Sequence, residues 1–272
     1  MSTGDGLLDE GGLRAKALGG FWTAVDVVAS TGSTNADLLA RAVAAPGGPE
    51  GQVLVAEEQT AGRGRLGRSW SSVPGASLTF SVLLRPAPVP AGRRGWLPLM
   101  TGVAVASAVR AVAGVDAVLK WPNDVLVGDR KLAGILAEQS PDGSAVVIGT
   151  GMNVATPADA LPVSAAGLPA TSLLVEGAAV SREELLLAIL GRLADWYLAF
   201  RADPDPARTG VLDAYRSLCA TIGQQVRVEL PAGRVVTGVA RDVDTDGRLL
   251  IQETAATVVT SVSAGDVMHV RS

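Results

Sequence analysis

The run Gly62-Arg63-Gly64-Arg65-Leu66-Gly67-Arg68 sets three guanidinium groups on a backbone rich in glycine. Glycine admits the tight loop geometry, and guanidinium forks supply paired donors, so the run suits a bound phosphate or carboxylate. It also fits the G-x-G-x-x-G spacing of dinucleotide-binding turns. Those turns need an acidic residue about 20 positions further on for the ribose. None occurs before Asp116, and the residues after the run read as loop and strand rather than helix. An anion-wrapping loop is the reading that remains. A second group is Lys120-Trp121-Pro122-Asn123-Asp124, followed by Arg130-Lys131-Leu132-Ala133-Gly134-Ile135-Leu136. Pro122 bends the chain after a strand, and the Gly128-Asp129-Arg130 turn brings Lys131 back beside that corner. Lysine there offers a point charge for a phosphate, while Asp124 could hold magnesium or orient an incoming amine. Lys120 with Asp124, taken alone, reads as a surface ion pair. A third group, Gly149-Thr150-Gly151-Met152-Asn153, ends a strand whose glycines permit close approach by a ligand.

Other chemistries lack their residues. No G-x-x-x-x-G-K-[S/T] run occurs, which argues against a P-loop NTPase. One histidine, His269, and one cysteine, Cys219, cannot build the usual zinc site, a Ser-His-Asp triad or a Cys-His pair. His269 reads as structural or surface-exposed. The reaction falls to arginine, lysine, carboxylate and amide groups. Net charge is −4, so no basic surface advertises DNA, RNA or an anionic membrane as the partner. Within that acidic protein, residues 59–115 hold seven arginines and no Asp or Glu, a local cationic field. Only three of the 23 basic residues are lysines, and two of them are Lys120 and Lys131. A lone cysteine and a start without signal-peptide or membrane-span character lead to a cytoplasmic expectation.

The elements that must position these groups follow from pattern. Residues 1–20 read as a flexible N-terminal tail, too short for a helix-turn-helix. Ser33 or Thr34 caps a helix over Asn35 to Ala45. Gln52 to Glu58 and Leu78 to Leu84 read as strands, with loop between them. Trp96 to Ala113 is an Ala/Val-rich buried helix. Strands follow at 117–121, 124–127, 132–138 and 145–150, then a flexible loop over 156–170. Ser181 and Glu184 form a capping box for a helix to about Phe200, and another helix covers Val211 to Cys219. From residue 222 short alternating strands suggest a small β-barrel. Hairpins mixed among helices predict a mixed, largely antiparallel sheet over residues 21–221.

In order along the chain, Ser33-Thr34-Asn35, Gln59, GRGRLGR with Trp70, KWPND, RKLAGIL and GTGMN resemble the motif series of biotin–protein ligases. The segment from about 222 resembles that family's C-terminal domain. The resemblance implies an α+β fold: a class II aminoacyl-tRNA-synthetase-like mixed β-sheet with flanking helices, plus a Src-homology-3-like barrel at 222–272. Some members carry an N-terminal DNA-binding domain; this sequence shows no such segment, so no DNA role is expected. The implied activity is adenylation of biotin with ATP and magnesium, then transfer to a lysine of the biotin carboxyl carrier domain of an acyl-CoA carboxylase. A monomer or weak homodimer is expected.

The same resemblance implies roles. Biotin would meet Ser33, Thr34, Asn35, Gln59, Gly62, Arg63, Arg65, Lys131, Gly134, Leu136, Gly149 and Gly151. ATP and the adenylate would meet Arg63, Arg65, Arg68, Trp70, Lys120, Asn123, Lys131, Met152 and Asn153. Lys131, Arg65, Asp124 and Arg68 would carry the chemistry, with Asp124 a ligand of magnesium through water. Residues 62–70 and 156–170 would close as lids over the reactive anhydride. Two rivals stand beside this reading. A lipoate or octanoate ligase would share the main fold, and a non-catalytic RNA-binding module would use the arginine loop. Net charge −4 and only three Phe and two Tyr for base stacking weigh against the second.

Overall fold

The computed structural model describes residues 7–162, 168–230, 234–254, 259–263 and 265–269. The elements run α1 (Glu10–Ala17), β1 (Ala24–Thr31), α2 (Thr34–Ala44), β2 (Gln52–Gln59), β3 (Ser77–Leu84), α3 (Trp96–Ala113), β4 (Ala117–Lys120), β5 (Asp124–Val127), β6 (Arg130–Gln139) and β7 (Val146–Asn153). After these come α4 (Arg182–Ala202), α5 (Val211–Leu218), β8 (Gln225–Glu229), β9 (Val235–Val243), β10 (Leu249–Glu253), β11 (Val259–Val262) and β12 (Asp266–His269). Strands β1 to β7 form one sheet in the order β1-β2-β3-β7-β6-β5-β4. Only the β1–β2 pair is parallel, as a mixed and largely antiparallel sheet requires.

Helix α2 covers one face of this sheet and α3 with α4 the other. Every residue of β3 is buried, because this central strand is covered on both faces. Strand alternation then assigns side chains: Thr79, Ser81, Gly149, Gly151, Gly134 and Leu136 pair across strands on the α2 face. Leu38, Ala42, Leu54, Leu83, Ala145 and Val147 form a small core on that side. Phe80, Ile148, Met152 and Ile135 join the main core on the other. The stretch Ala91–Ala113, which includes α3, is long and apolar enough to cross a membrane by composition. It packs instead against α4, α5 and the sheet, with 67% of its apolar window buried.

Two expectations change. The N-terminal tail is not loose from residue 8 onward. Asp9 caps α1 through Gly11 N, Leu13 is fully buried, and Arg14 Nε donates to Val25 O at 2.7 Å. A helix of this length is marginal alone and holds here by packing and the Arg14–Asp26 ion pair to β1. Residues 1–6 of that expected tail lie outside the described residues. Strand β1 was not expected at all, although Val25, Val27 and Val28 carry β propensity.

The second sheet, order β11-β10-β9-β8-β12, is antiparallel throughout and has the strand complement of the small barrel. Its apolar residues, including Val226, Val228, Ala240 and Ile251, belong to the same contiguous core as α3 and α5. Two indoles fasten it further: Trp96 Nε1 donates to Thr245 O at 2.9 Å, and Trp121 Nε1 to Gly247 O at 3.1 Å. Small and main sheets therefore meet over an apolar, hydrogen-bonded junction.

Candidate active site

On the α2 face of the main sheet lies a cavity of about 970 Å³. Nearly every residue the sequence singles out lines it. Gly62 and Met152 do not. Met152 sits at the far-face register of β7, fully buried beside Leu78 and Ala133, so its expected contact with the adenylate is withdrawn. Gly62 shapes the loop instead. A Cβ there would overlap Trp70 O, which approaches because Trp70 N donates to Gly62 O at 2.9 Å.

The arginine run is a tongue folded on itself. Gly64 N donates to Arg68 O at 2.7 Å, and Arg63 bridges to Ser69. At its tip Leu66 takes φ +56°, a left-handed conformation costing roughly 1–2 kcal/mol for a residue with a Cβ. Its arginines reach to different walls. Arg63 Nη1 donates to Glu138 Oε1 at 3.1 Å, and Arg65 Nη1 to Asn123 Oδ1 at 3.0 Å. Asn123 is held for this by β6, donating to Ile135 O at 3.3 Å and accepting from Ile135 N at 2.9 Å on its own carbonyl.

The Lys120–Asp124 corner closes through a cis Trp121–Pro122 bond. Lys120 and Asp124 are cross-strand partners, but the corner is buried or half-buried rather than the expected surface site. Lys120 is buried, and Asp124 Oδ1 lies 2.7 Å from Lys131 Nζ. A register shift between Val125 and Leu126 interrupts the β5–β6 ladder just where Lys131 enters. The lysine backbone is then gripped from its other side: Lys131 N donates to Pro169 O and Thr171 N to Lys131 O, both at 2.8 Å. Its ammonium stands 5.9 Å over the Trp70 ring.

Glycines make the floor. Gly134 pairs with Gly151, and Leu136 with Gly149. A Cβ at Gly151 would overlap the Trp70 indole, and one at Gly149 would overlap Asn35 Oδ1. The indole Nε1 of Trp70 and the hydroxyl of Thr79 are buried without a hydrogen-bond partner. Leaving such a group unpaired costs about 1–3 kcal/mol, so a polar ligand lying on this floor has partners waiting.

At the other end of the cavity the lining groups are small hydroxyls and amides, backed by the Glu138 carboxylate. Ser33 caps α2 by accepting from Ala36 N at 3.5 Å. Gln59 Oε1 accepts from Thr34 N at 2.9 Å, and Thr34 Oγ1 lies 2.6 Å from Ser81 Oγ. Ser81 Oγ donates to Asn35 Oδ1 at 2.6 Å, and Asn35 Nδ2 donates to Glu138 Oε2 at 2.8 Å. Asn153, buried, donates to Thr171 O at 3.0 Å and so ties β7 to the strap that grips Lys131.

Sequence reading missed Thr79, Ser81 and Glu138. The signal for the first two was present, since Ser77, Thr79 and Ser81 alternate with Leu78, Phe80 and Val82 along one strand. It missed too that the small barrel borders the cavity through Val267, Met268 and His269. His269 keeps its structural character: its Nε2 lies 3.1 Å from Thr221 Oγ1, which accepts from Trp121 N. Burial, with the nearby Lys120 charge, pushes its pKa down to about 4. Of the two expected lids, 62–70 lies across the cavity, while 163–167 falls outside the described residues. The rest of 156–170 has a short 3-10 turn at Ala158–Ala160 and ends paired to Lys131.

Known proteins resemble this chain in sequence and fold. The pattern of the biotin/lipoate A/B protein ligase family matches residues 27–153, and that of the biotin protein ligase C-terminal domain matches 221–270. A Mycobacterium tuberculosis protein named biotin–[acetyl-CoA-carboxylase] ligase is 46% identical, covering 97% of this chain and 96% of its own length. A bifunctional ligase/repressor from Bacillus spizizenii is 31% identical over 89% of this chain and 72% of its own. Among solved structures, the biotin protein ligase of Aquifex aeolicus in complex with biotin and ATP superposes with a TM-score of 0.75 at 28% identity. That match covers 92% of this chain and all of the other. The Leishmania major enzyme in complex with biotinyl-5-AMP gives 0.62 at 26% identity, covering 89% and 99%.

Proposed function

This chain belongs to the biotin protein ligase family, and from that premise we infer that it joins biotin to ATP as biotinyl-5′-AMP and transfers the biotin to a carrier lysine. The acceptor is the biotin carboxyl carrier domain of a biotin-dependent carboxylase. One observation carries the reading beyond kinship. A single cavity sets a buried hydroxyl–amide cluster at one end and the cations Arg65, Arg68 and Lys131 at the other, over a glycine floor. That is the polarity of biotin itself, a neutral ureido ring at one end of an aliphatic tail and a carboxylate at the other.

The chemical difficulty is that a carboxylate must attack an anionic α-phosphorus. Cations at the far end hold the two together in line; such positioning lowers a barrier by roughly 7–11 kcal/mol. A biotin carboxylate oxygen forms the new P–O bond as the bond to pyrophosphate breaks. Lys131, on a rigid strand and within reach of Trp70, is the cation placed best to follow the charge as it develops. One preorganised donor of this kind is worth about 3–4 kcal/mol. The anhydride then meets the acceptor lysine, whose amine attacks the acyl carbon and releases AMP. Asp124 accepts a hydrogen bond from that amine as it enters. Trp70 and Asn153 are read as adenosine contacts, and the tongue as the cover that keeps water from the anhydride. The unit spanning 21–221 does this work, with 222–272 as a buttress.

Among the described residues no group of three His, Cys, Asp or Glu side chains stands together. Magnesium would therefore arrive with the ATP substrate, held by its phosphates, and Asp124 would be the carboxylate to meet it through water once those phosphates draw Lys131 away.

Biotin-dependent exchange of pyrophosphate into ATP, without acceptor protein, tests the reading. Exchange with biotin is expected; exchange with lipoate or octanoate alone would reassign the acid, and none at all would sink the ligase.

A further inference from the structure

The order of protons at the neutral end of the cavity can be worked out from one carboxylate. Both hydrogens of the Asn35 amide are taken, one by Leu136 O at 3.1 Å and the other by Glu138 Oε2 at 2.8 Å. A carboxylate accepts only, so Asn35 Nδ2 must face Glu138 and Oδ1 must face Ser81. Ser81, fully buried, then has to spend its one proton on Asn35 Oδ1 at 2.6 Å. The 2.6 Å contact between Ser81 and Thr34 still needs a proton, and only Thr34 has one to give. Its longer 3.1 Å approach to Gln59 Oε1 cannot have it as well. Gln59 Oε1 is served by Thr34 N instead, which leaves Gln59 Nε2 as a donor. Thr34 Oγ1, which borders the cavity, is left with lone pairs alone to present.

We propose that Glu138, Asn35 and Ser81 are positioning residues that lock the polarity of this pocket, making Thr34 an obligate acceptor beside the Gln59 donor. The inference rests on the ligase reading and deepens it. Asn35, expected to bind biotin, has every polar side-chain atom engaged and acts through Ser81. An acceptor next to a donor matches the N–H and C=O edge of a ureido ring. Where a site is built to pair a ligand N–H, a ligand lacking it leaves a buried acceptor unpaired. Glu138 also accepts from Arg63 Nη1 at 3.1 Å, so both of its oxygens are engaged at this wall.

The test compares biotin with biotin methylated on its ureido nitrogens, each titrated into the full-length protein by calorimetry. The wild type is expected to bind biotin and reject the methylated form. Ser81→Ala frees the Thr34 hydroxyl to turn and donate, so biotin affinity should fall roughly 10-fold and the preference for biotin should narrow by a similar factor. Glu138→Leu, which releases the Asn35 amide, should narrow it in the same direction, with the KM for ATP within about twofold of wild type in both variants. A general loosening of structure would weaken both ligands equally. An unchanged ratio in both variants therefore overturns the proposal while leaving the ligase intact. Failure of the wild type to bind biotin would instead overturn the functional reading itself.

Discussion

The two ends of the cavity are built on different principles. At the neutral end Thr34, Asn35 and Ser81 sit on α2 and β3, each less than 5% exposed and each tied by short hydrogen bonds. At the cationic end Lys131 is 29% exposed, and Arg65 and Arg68 ride on a tongue tipped by the short 3-10 turn Arg65–Gly67. Recognition of a neutral ring gains from rigidity, because every unpaired polar atom is costly in a dry site. Stabilising charge that appears only during reaction, and letting three different substrates enter and leave, needs long side chains that can change partners. Arg65 and Lys131 are each parked on a protein acceptor, Asn123 and Asp124, which substrate phosphates can replace.

The largest effect separates the ends directly. Lys131→Ala should lower pyrophosphate exchange by roughly 10²–10³, as loss of one charge-stabilising donor does. The biotin dissociation constant should change by less than about threefold, and an equal loss of binding would erase the division between ends. Gly149→Ala attacks the opposite side. A Cβ there would meet Asn35 Oδ1 and lie 3.2 Å from Ser81 Oγ, so it pushes into the locked network. Overpacking of this sort costs about 1–3 kcal/mol, which predicts roughly 10- to 100-fold weaker biotin binding by calorimetry. Arg65→Gly removes the fork that spans to Asn123. Biotinyl-adenylate should escape or hydrolyse faster, by about tenfold in a rapid-quench lifetime measurement, and an undiminished lifetime would count against the tongue as a cover.

Smaller effects sharpen the boundary with the barrel. His269 is held neutral by burial, its pKa down at about 4. An unfolded chain binds that proton near pH 6.5, so the native state binds fewer protons between these values and stability there rises with pH. The melting temperature should fall as pH drops from about 6.5 towards 4, and His269→Gln should flatten that slope. A slope unchanged in the variant would place the acid sensitivity elsewhere. Ser33→Ala removes the α2 cap and should cost about 1 kcal/mol, a few degrees of melting temperature at most.

Legibility followed the range of the interaction. Helix α3 and the sheet's hairpins were readable because a long Ala/Val-rich run and turn residues are local signals. Cap residues Ser33 and Ser181 marked the starts of α2 and α4 for the same reason. Strand β1 and helix α1 were not, since their stability comes from a parallel partner and from packing, and the local marks they carry, a few valines and the Asp9 cap, are too short to stand out. Met152 shows the limit within a motif: adjacent residues of one strand face opposite sides, so membership of GTGMN does not bring it to the cavity.

By itself, the sequence determined which chemistry was available: cations without a nucleophile or zinc cluster, glycines where a ligand or indole must lie close, and a motif order shared with one family. Tertiary structure alone decided which of those groups meet. Lys131, from the neighbouring strand, pairs with Asp124. Ser81 and Glu138, from strands far apart in the chain, complete a hydrogen-bond circuit through Asn35. The physical reason is that a hydrogen bond depends on distance and direction in space, which a spacing along the chain constrains only within one element. Polarity in the pocket is a property of the whole circuit, and no single residue in it carries that information.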